Sequence, residues 1–404
     1  MILQFIYTKK IIMREGNSNR VAVFTGNRAG FGYLFPLILK LKDCFEIELF
    51  VSGAHLLPPW NTINEIEEKL AEYKIKCIIH RIKLNDLKDP YKESLGRIYG
   101  YSIKHLNNKF KFSIVMGDRI EPFSFALASF FMNVPVAHIN GGDITNVPYF
   151  DTSIRHSITK IAHLHFVNNV KSGRVIEQMG EEKWRIHNIG TLSYDYNSAG
   201  MLPGKTQLSK ELSINPTDKF ILFTYHSAHS KSPKQNLDEF KMVLNAVRKT
   251  SLKIIMTYPN NDPGSKLLLP FIQNMKQSEK IKIIPNLGTE RILSLYKNFH
   301  VIVAGNSSGG LIETCLYKIP ALNIGCRQVD RFRGNNVFDC EIDKNKIYDK
   351  LNYIINNYER LKKGFDKYRY FFGNGHAASK ALKVLKKYQS VGNEILLFKK
   401  FVIK

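Results

Sequence analysis

Asp118 and Glu121 stand three residues apart in GDRIEP (117–122), with Arg119 between them. Two carboxylates beside a guanidinium suit general acid/base work, because a neighbouring cation holds a carboxylate ionised and ready to take a proton. A helix-capping aspartate explains the same three residues. A second acid-bearing stretch, HINGGDITNVPYFDTSIRH (138–156), places His138, Asp143 and Asp151 around a Gly-Gly turn, with the amide Asn140 in their midst. An amide cannot accept a proton from carbon near neutral pH, so Asn140 interrupts what is otherwise a proton-transfer loop. His156, His163 and His165 follow closely, but their spacing is not the HExxH pattern that puts two histidines on one helix face, so no metal site is expected.

Other stretches suit an anion. TGNRAGFGYL (25–34) combines Gly26, Gly30 and Gly32, which allow tight backbone geometry, with Arg28, whose guanidinium could bind a phosphate beside a helix start. It is not the GxGxxG dinucleotide fingerprint, and an ordinary strand-to-helix turn fits it too. GNSSGGLIE (305–313) exposes amide N–H groups at a helix start, Ser307 and Ser308 add hydroxyls, and Glu313 lies where a ribose diol could meet its carboxylate. An N-cap serine before a core helix is the plainer reading. YHSAHSKS (225–232) and YPNNDPGS (258–265) bring His226, Asn260 and Asp262 to two further loops.

All these stretches follow short apolar runs: VAVF, SIVM, VPVA, FILF, KIIM and HVIVA. Runs of this kind alternating with amphipathic segments predict an α/β protein with parallel strands and crossover helices. In such sheets ligands gather beyond the carboxyl ends of the strands, so the loops above are expected to converge on one groove between two Rossmann-like domains. The polar stretch around 199–216 marks the division. The expected parts are an extension over 1–20, a first domain over 21–203, a second over 204–375 and a helical segment over 376–404. Periodicity predicts helices over 344–363, 376–389 and SIRHSITKIAHLHF (153–166). NEILLFKKFVIK (393–404) alternates basic and apolar residues and reads first as a docked segment, second as a membrane-surface contact.

The formal net charge of +24 attracts nucleic acid, membrane surfaces and anionic small molecules alike. The lysines are spread along helix-like segments without an RNA-binding or zinc-finger signature, which argues against nucleic acid. Five cysteines without a CxxC pair suggest reduced thiols and a cytoplasmic setting. No membrane span is expected from the hydropathy pattern.

The ordered set TGNRAGFG, SGAHL, GDRIE, HINGGD, D-x-x-IRHSITKIAHLHF, YHSAHS, YPNNDPG, GNSSGGLIE and NIGCRQ resembles the hydrolysing UDP-N-acetylglucosamine 2-epimerase family, especially its sialic- and legionaminic-acid branch, over roughly residues 20–385. The resemblance implies the GT-B fold, two doubly wound Rossmann-like domains with the active site between them. It also implies elimination of UDP from a UDP-linked, or related GDP-linked, N-acetylhexosamine through a 2-acetamidoglucal, then hydration to a free N-acetylmannosamine-type sugar for nonulosonic-acid and surface-glycan synthesis. No cofactor is implied, and the protein is expected to be a homo-oligomer. Carried over by motif, Arg28, Arg119, His226, Asn260, Ser307, Ser308, Glu313 and Arg327 would hold the nucleotide, with Gly32 and His138 beside the substrate. Asp118 and Asp151 would move protons, with Glu121, Asp143 and His226 as further candidates.

The departures fall on the acid/base half. Gly30 stands where the family has an aspartate, Asn140 where it has a catalytic glutamate, Thr152 where a second acid follows Asp151, and Cys326 where a polar residue precedes Arg327. Asp143, three residues beyond Asn140, is the nearest substitute acid. A GT-B glycosyltransferase, which need not deprotonate C2, and a catalytically silent nucleotide-sugar binder are the competing readings.

Overall fold

The computed structural model describes residues 19–145, 150–228, 231–260, 262 and 264–402, and of Arg28 only the backbone. Buried β-branched and aromatic runs bounded by glycine give two parallel sheets, as strands covered on both faces require. The first holds β1 (Arg20–Thr25), β2 (Glu46–Val51), β3 (Cys77–Arg81), β4 (Phe110–Met116), β5 (Val136–Ile139), β6 (Leu164–Val167) and β7 (Ile186–Asn188) in the order β3-β2-β1-β4-β5-β6-β7. The second holds β8 (Lys219–Thr224), β9 (Lys253–Thr257), β10 (Ile281–Ile284), β11 (His300–Gly305), β12 (Ala321–Ile324) and β13 (Val337–Cys340) in the order β10-β9-β8-β11-β12-β13. Every pairing is parallel.

In each sheet the strand order reverses at one place, between β1 and β4 and between β8 and β11. The loops leaving adjacent strands at such a switch point run to opposite faces and open a crevice. Four loops, beginning at Gly26, Gly117, Tyr225 and Asn306, therefore define the two walls of one cleft. The helices that bear on it are α1 (Arg28–Leu41), α2 (Ile120–Phe131), α3 (Phe150–Ile161), α4 (Gly288–Asn298) and α5 (Gly309–Tyr317). α1 starts where it does because the Asn27 side chain caps it, accepting from the Gly30 N–H at 2.7 Å.

One buried cluster runs through both halves: Val21, Leu34 and Phe112 from the first, Leu293, Tyr296 and Val301 from the second, with Tyr196 between them. The Tyr196 hydroxyl donates to the Gly32 carbonyl at 2.7 Å. Gly32 itself is a close-approach residue, since a Cβ there would lie 2.1 Å from Thr289 Oγ1 at the start of α4. The chain then returns: α6 (Ala377–Gln389) packs on α1, and the Asp195 carboxylate accepts from the Ala377 and Ala378 N–H groups at 2.8 Å each.

The segment read as one helix to Phe166 divides. α3 stops at Ile161 and β6 begins at Leu164, because Leu164 and Phe166 alternate with histidines at strand period and pair beside β5. The polar linker folds a short helix of its own, Lys205–Leu212. The helices expected over 344–363 and 376–389 are present, the first as Lys344–Asn356 and Tyr358–Lys363. Among the described residues no helix is long and apolar enough to cross a membrane.

The second switch point rests on Gly305. Its φ is 135°, and a Cβ would sit 1.9 Å from the Thr224 carbonyl oxygen of β8. Gly305→Ala is therefore expected to lower the unfolding free energy by about 3 kcal/mol or more in a urea titration.

Candidate active site

The cleft holds a cavity of about 270 Å³. Its first-domain wall comes from the ends of β1, β4 and β5: Asn27 and Gly30, Gly117 with Asp118 and Arg119, and Asn140, joined by Asp151 and Arg155 of α3. The opposite wall comes from the ends of β8, β9 and β11: His226, Asn260 with Asp262, and Ser307 with Ser308, joined by Glu313, Arg327 and Arg331. The starts of α4 and α5 open into it at Gly288–Thr289 and Gly309–Gly310, so helix-end N–H groups join the side chains on that wall.

Asn306 organises the second wall. Its side chain accepts from the His226 N–H at 2.7 Å and donates to the His226 carbonyl at 2.9 Å, locking the loop after β8 to the loop after β11. Its own carbonyl accepts from Arg327 at 3.2 Å and from Gln328 at 2.9 Å. His226 Nδ1 accepts from the Asn260 N–H at 3.1 Å, which fixes the imidazole and leaves any ring proton on Nε2.

Two charge pairs span the cleft. Arg119 reaches Asp262 at 2.5 Å, and Asp262 also faces Arg327 at 3.5 Å. Burial by itself raises the Asp262 pKa, but the two guanidiniums outweigh it and hold the carboxyl well below its usual range. Arg331 reaches Asp143 at 2.7 Å, while Arg155 donates to the Asp143 carbonyl at 2.9 Å and forms an ion pair with Asp118. Asp143 thus joins Arg331 of one wall to the Arg155–Asp118 pair of the other.

Glu313 is buried and receives hydrogen bonds from Ser193, at 3.3 Å, and from Tyr33, both belonging to the first half of the chain. Burial outweighs these bonds and pushes the carboxyl up to about 7. Asn140 has φ 65°, in the left-handed region that asparagine tolerates better than most residues, and its N–H is bound to the Phe166 carbonyl at 2.9 Å.

Of the residues expected from sequence, Asp118, Arg119, Asn140, Asp151, His226, Asn260, Ser307, Ser308, Glu313 and Arg327 line the cavity. Four do not. His138 is fully buried, donates from Nε2 to the Gly117 carbonyl at 2.9 Å, and is held down to about 3 by burial, so it supports the loop from behind as a neutral ring. Gly32 serves the contact with α4, and Glu121 is buried against Arg119. Asp143, the nearest acid to Asn140 in sequence, is paired with Arg331 at 2.7 Å. The Arg28 side chain lies outside the described residues. Among the described residues no group of three or more His, Cys, Asp or Glu is arranged to hold a metal ion.

Tyr33, Arg155, Thr289 and Arg331 line the cavity without having been singled out. Arg155 lies inside the IRH motif, and the signal for Arg331 is the cationic loop RQVDRFRG just past a strand end.

A family profile described as UDP-N-acetylglucosamine 2-epimerase matches residues 39–386. The GDP/UDP-N,N'-diacetylbacillosamine 2-epimerase (hydrolyzing) of Campylobacter jejuni is 32% identical over 83% of this chain and 88% of its own. The UDP-N,N'-diacetylbacillosamine 2-epimerase (hydrolyzing) of Legionella pneumophila is 28% identical over 91% of this chain and 95% of its own. The crystal structure of a UDP-GlcNAc 2-epimerase from Neisseria meningitidis bound to UDP-GlcNAc superposes with a TM-score of 0.73 at 18% identity, covering 91% of this chain and 100% of that one, and so shares its fold.

Removing one partner of the Asp143–Arg331 pair leaves a buried charge uncompensated. Asp143→Ala is expected to cost about 3 kcal/mol of stability, whereas Asp143→Leu with Arg331→Met should cost clearly less. Denaturant unfolding of the three proteins reads this directly.

Proposed function

The chain belongs to the UDP-N-acetylglucosamine 2-epimerase family, and on that premise we propose that it is a hydrolysing nucleotide-sugar 2-epimerase acting on a UDP-linked, or related GDP-linked, N-acetylhexosamine. The observation that carries the reading is the division of the cleft. One wall gathers donors and cations suited to a nucleoside diphosphate, and the facing wall presents two cavity-lining carboxylates, Asp118 and Asp151, beside Asn140.

In this reading Ser307, Ser308, His226 and the N-terminus of α5 hold the diphosphate, with Arg119 and Arg327 fixed by their shared Asp262. A carboxylate takes the C2 proton while the C1–O bond breaks and the electron pair leaves with the diphosphate. The resulting glycal then gains a proton at C2 from the opposite face and hydroxide at C1, both from water. Neutralising the diphosphate lowers the barrier to departure, as preorganised cations do for any developing anion. Asp118 is paired with Arg155, and Asp151 sits in the first turn of α3. The product, a free N-acetylmannosamine-type sugar, would feed nonulosonic-acid synthesis. We further propose that the protein works as a homo-oligomer in the cytoplasm.

Incubation with UDP-N-acetylglucosamine and with its 4-acetamido-4,6-dideoxy relative is expected to release UDP without any added acceptor. Release only in the presence of an acceptor would instead mark a glycosyltransferase. Asp118→Asn and Asp151→Asn should each lower kcat by at least about a hundredfold. Asn140→Asp, which keeps a residue tolerant of the left-handed backbone, should change kcat by less than about tenfold if the amide takes no part in proton transfer.

Ribose hydroxyls donating to Glu313 would favour its ionised form, so UDP binding should release a proton and strengthen as pH rises through about 7. Calorimetry at several pH values checks this, and Glu313→Gln should flatten the dependence.

A further inference from the structure

The segment 393–402 is fastened to the first domain through its main chain and the side chains of Asn393 and Lys399. Arg185 donates to the Leu396 carbonyl at 2.8 Å and to the Phe398 carbonyl at 2.7 Å, and the Val402 N–H donates to the Gly180 carbonyl at 3.0 Å. Lys399 donates to the Lys160 and Ala162 carbonyls and pairs with Glu181, each at 2.7 Å. Leu396 is fully buried. The backbone is thus held in place while the large apolar side chains of the same segment face outward: Ile395 is 54% exposed, Phe398 67% and Phe401 69%.

These side chains form part of a wider surface. Glu182 accepts from Trp184 Nε1 at 3.1 Å and from the Lys400 N–H at 3.3 Å, which brings the half-exposed Trp184 beside the segment. The Trp184 ring lies 5.6 Å from that of Tyr388, and Lys387 stands 5.2 Å from the Tyr388 ring centre. Lys183, Lys386, Lys387 and Lys400 are exposed around it. Of the nearby acids, Glu182 is already occupied by Arg185, and Glu394 lies in the field of Lys111. Aromatic residues displayed among lysines suit an interface that is apolar at depth and anionic at its rim.

We propose that this face docks on an anionic lipid bilayer, with Ile395, Phe398, Phe401 and Trp184 entering the headgroup boundary and the surrounding lysines meeting the acidic headgroups. Charge decides between this occupant and a second copy of the chain. A two-fold contact would bring one lysine-rimmed face against another, where like charges oppose association, while an acidic surface neutralises them.

The full-length protein should co-sediment with vesicles of phosphatidylglycerol and phosphatidylcholine but not with phosphatidylcholine alone, and about 0.5 M sodium chloride should weaken the binding by screening. Phe398→Ser with Phe401→Ser is expected to reduce vesicle binding by about tenfold or more, with unchanged far-ultraviolet circular dichroism and unchanged UDP release in solution. Lys387→Glu with Lys400→Glu should weaken binding to the acidic vesicles in the same way. Failure of the native chain to bind acidic vesicles, or equal binding by the serine variant, would overturn the proposal. A larger native assembly that the serine variant converts to a smaller one in sedimentation velocity would overturn it in favour of a contact between copies.

Discussion

The structure depends on buried charges that meet across the cleft. Arg119 and Asp262 come from different sheets and are 143 residues apart in sequence; Asp143 and Arg331 are 188 apart. Arg119 and Asp262 also have partners within their own halves, Glu121 and Arg327, but the shorter contact is the one between halves, and breaking a buried pair is costly enough to favour one register of the two walls. The pairs do more than hold the walls together. Asp262 orients two arginines at once, and Asp143 connects Arg331 to Arg155 and through it to Asp118. Position on one wall is thereby passed to the other without any residue needing to cross the cavity.

The same arrangement explains how an amide can occupy position 140. The φ of 65° is set by the turn into Gly141–Gly142, and asparagine suits that backbone better than glutamate. The acid three residues on, Asp143, is engaged with Arg331 and, unlike Asp118 and Asp151, does not line the cavity. In the proposed reaction the proton transfers therefore fall to Asp118 and Asp151, while Asn140 contributes shape and hydrogen bonding.

Much of the fold was legible because each cleft loop follows an apolar run too short for a helix and ends on glycine or a small polar residue. GDRIEP, YHSAHS and GNSSGG all sit where that pattern places them. The helix that was extended through Phe166 failed for a local reason: AHLHFV satisfies either period, and only pairing with β5 and β7 selects the strand. His138 looked like a substrate contact because it borders the acid loop, but its side chain points behind β4 to Gly117. Arg331 was missed because its meaning comes from Asp143, a partner that no local spacing reveals. Similarly, the 393–402 segment reads as docked from its alternation, while the outward direction of its aromatic residues emerges only once Arg185 and Lys399 are seen holding its backbone.

The central claim is that two aspartates, Asp118 and Asp151, carry C2 chemistry in a cleft that also presents the amide Asn140. Its most direct test is proton NMR of the sugar product formed in heavy water. One deuterium at C2 per molecule of UDP released is the predicted result, and UDP release with protium fully retained at C2 would contradict it.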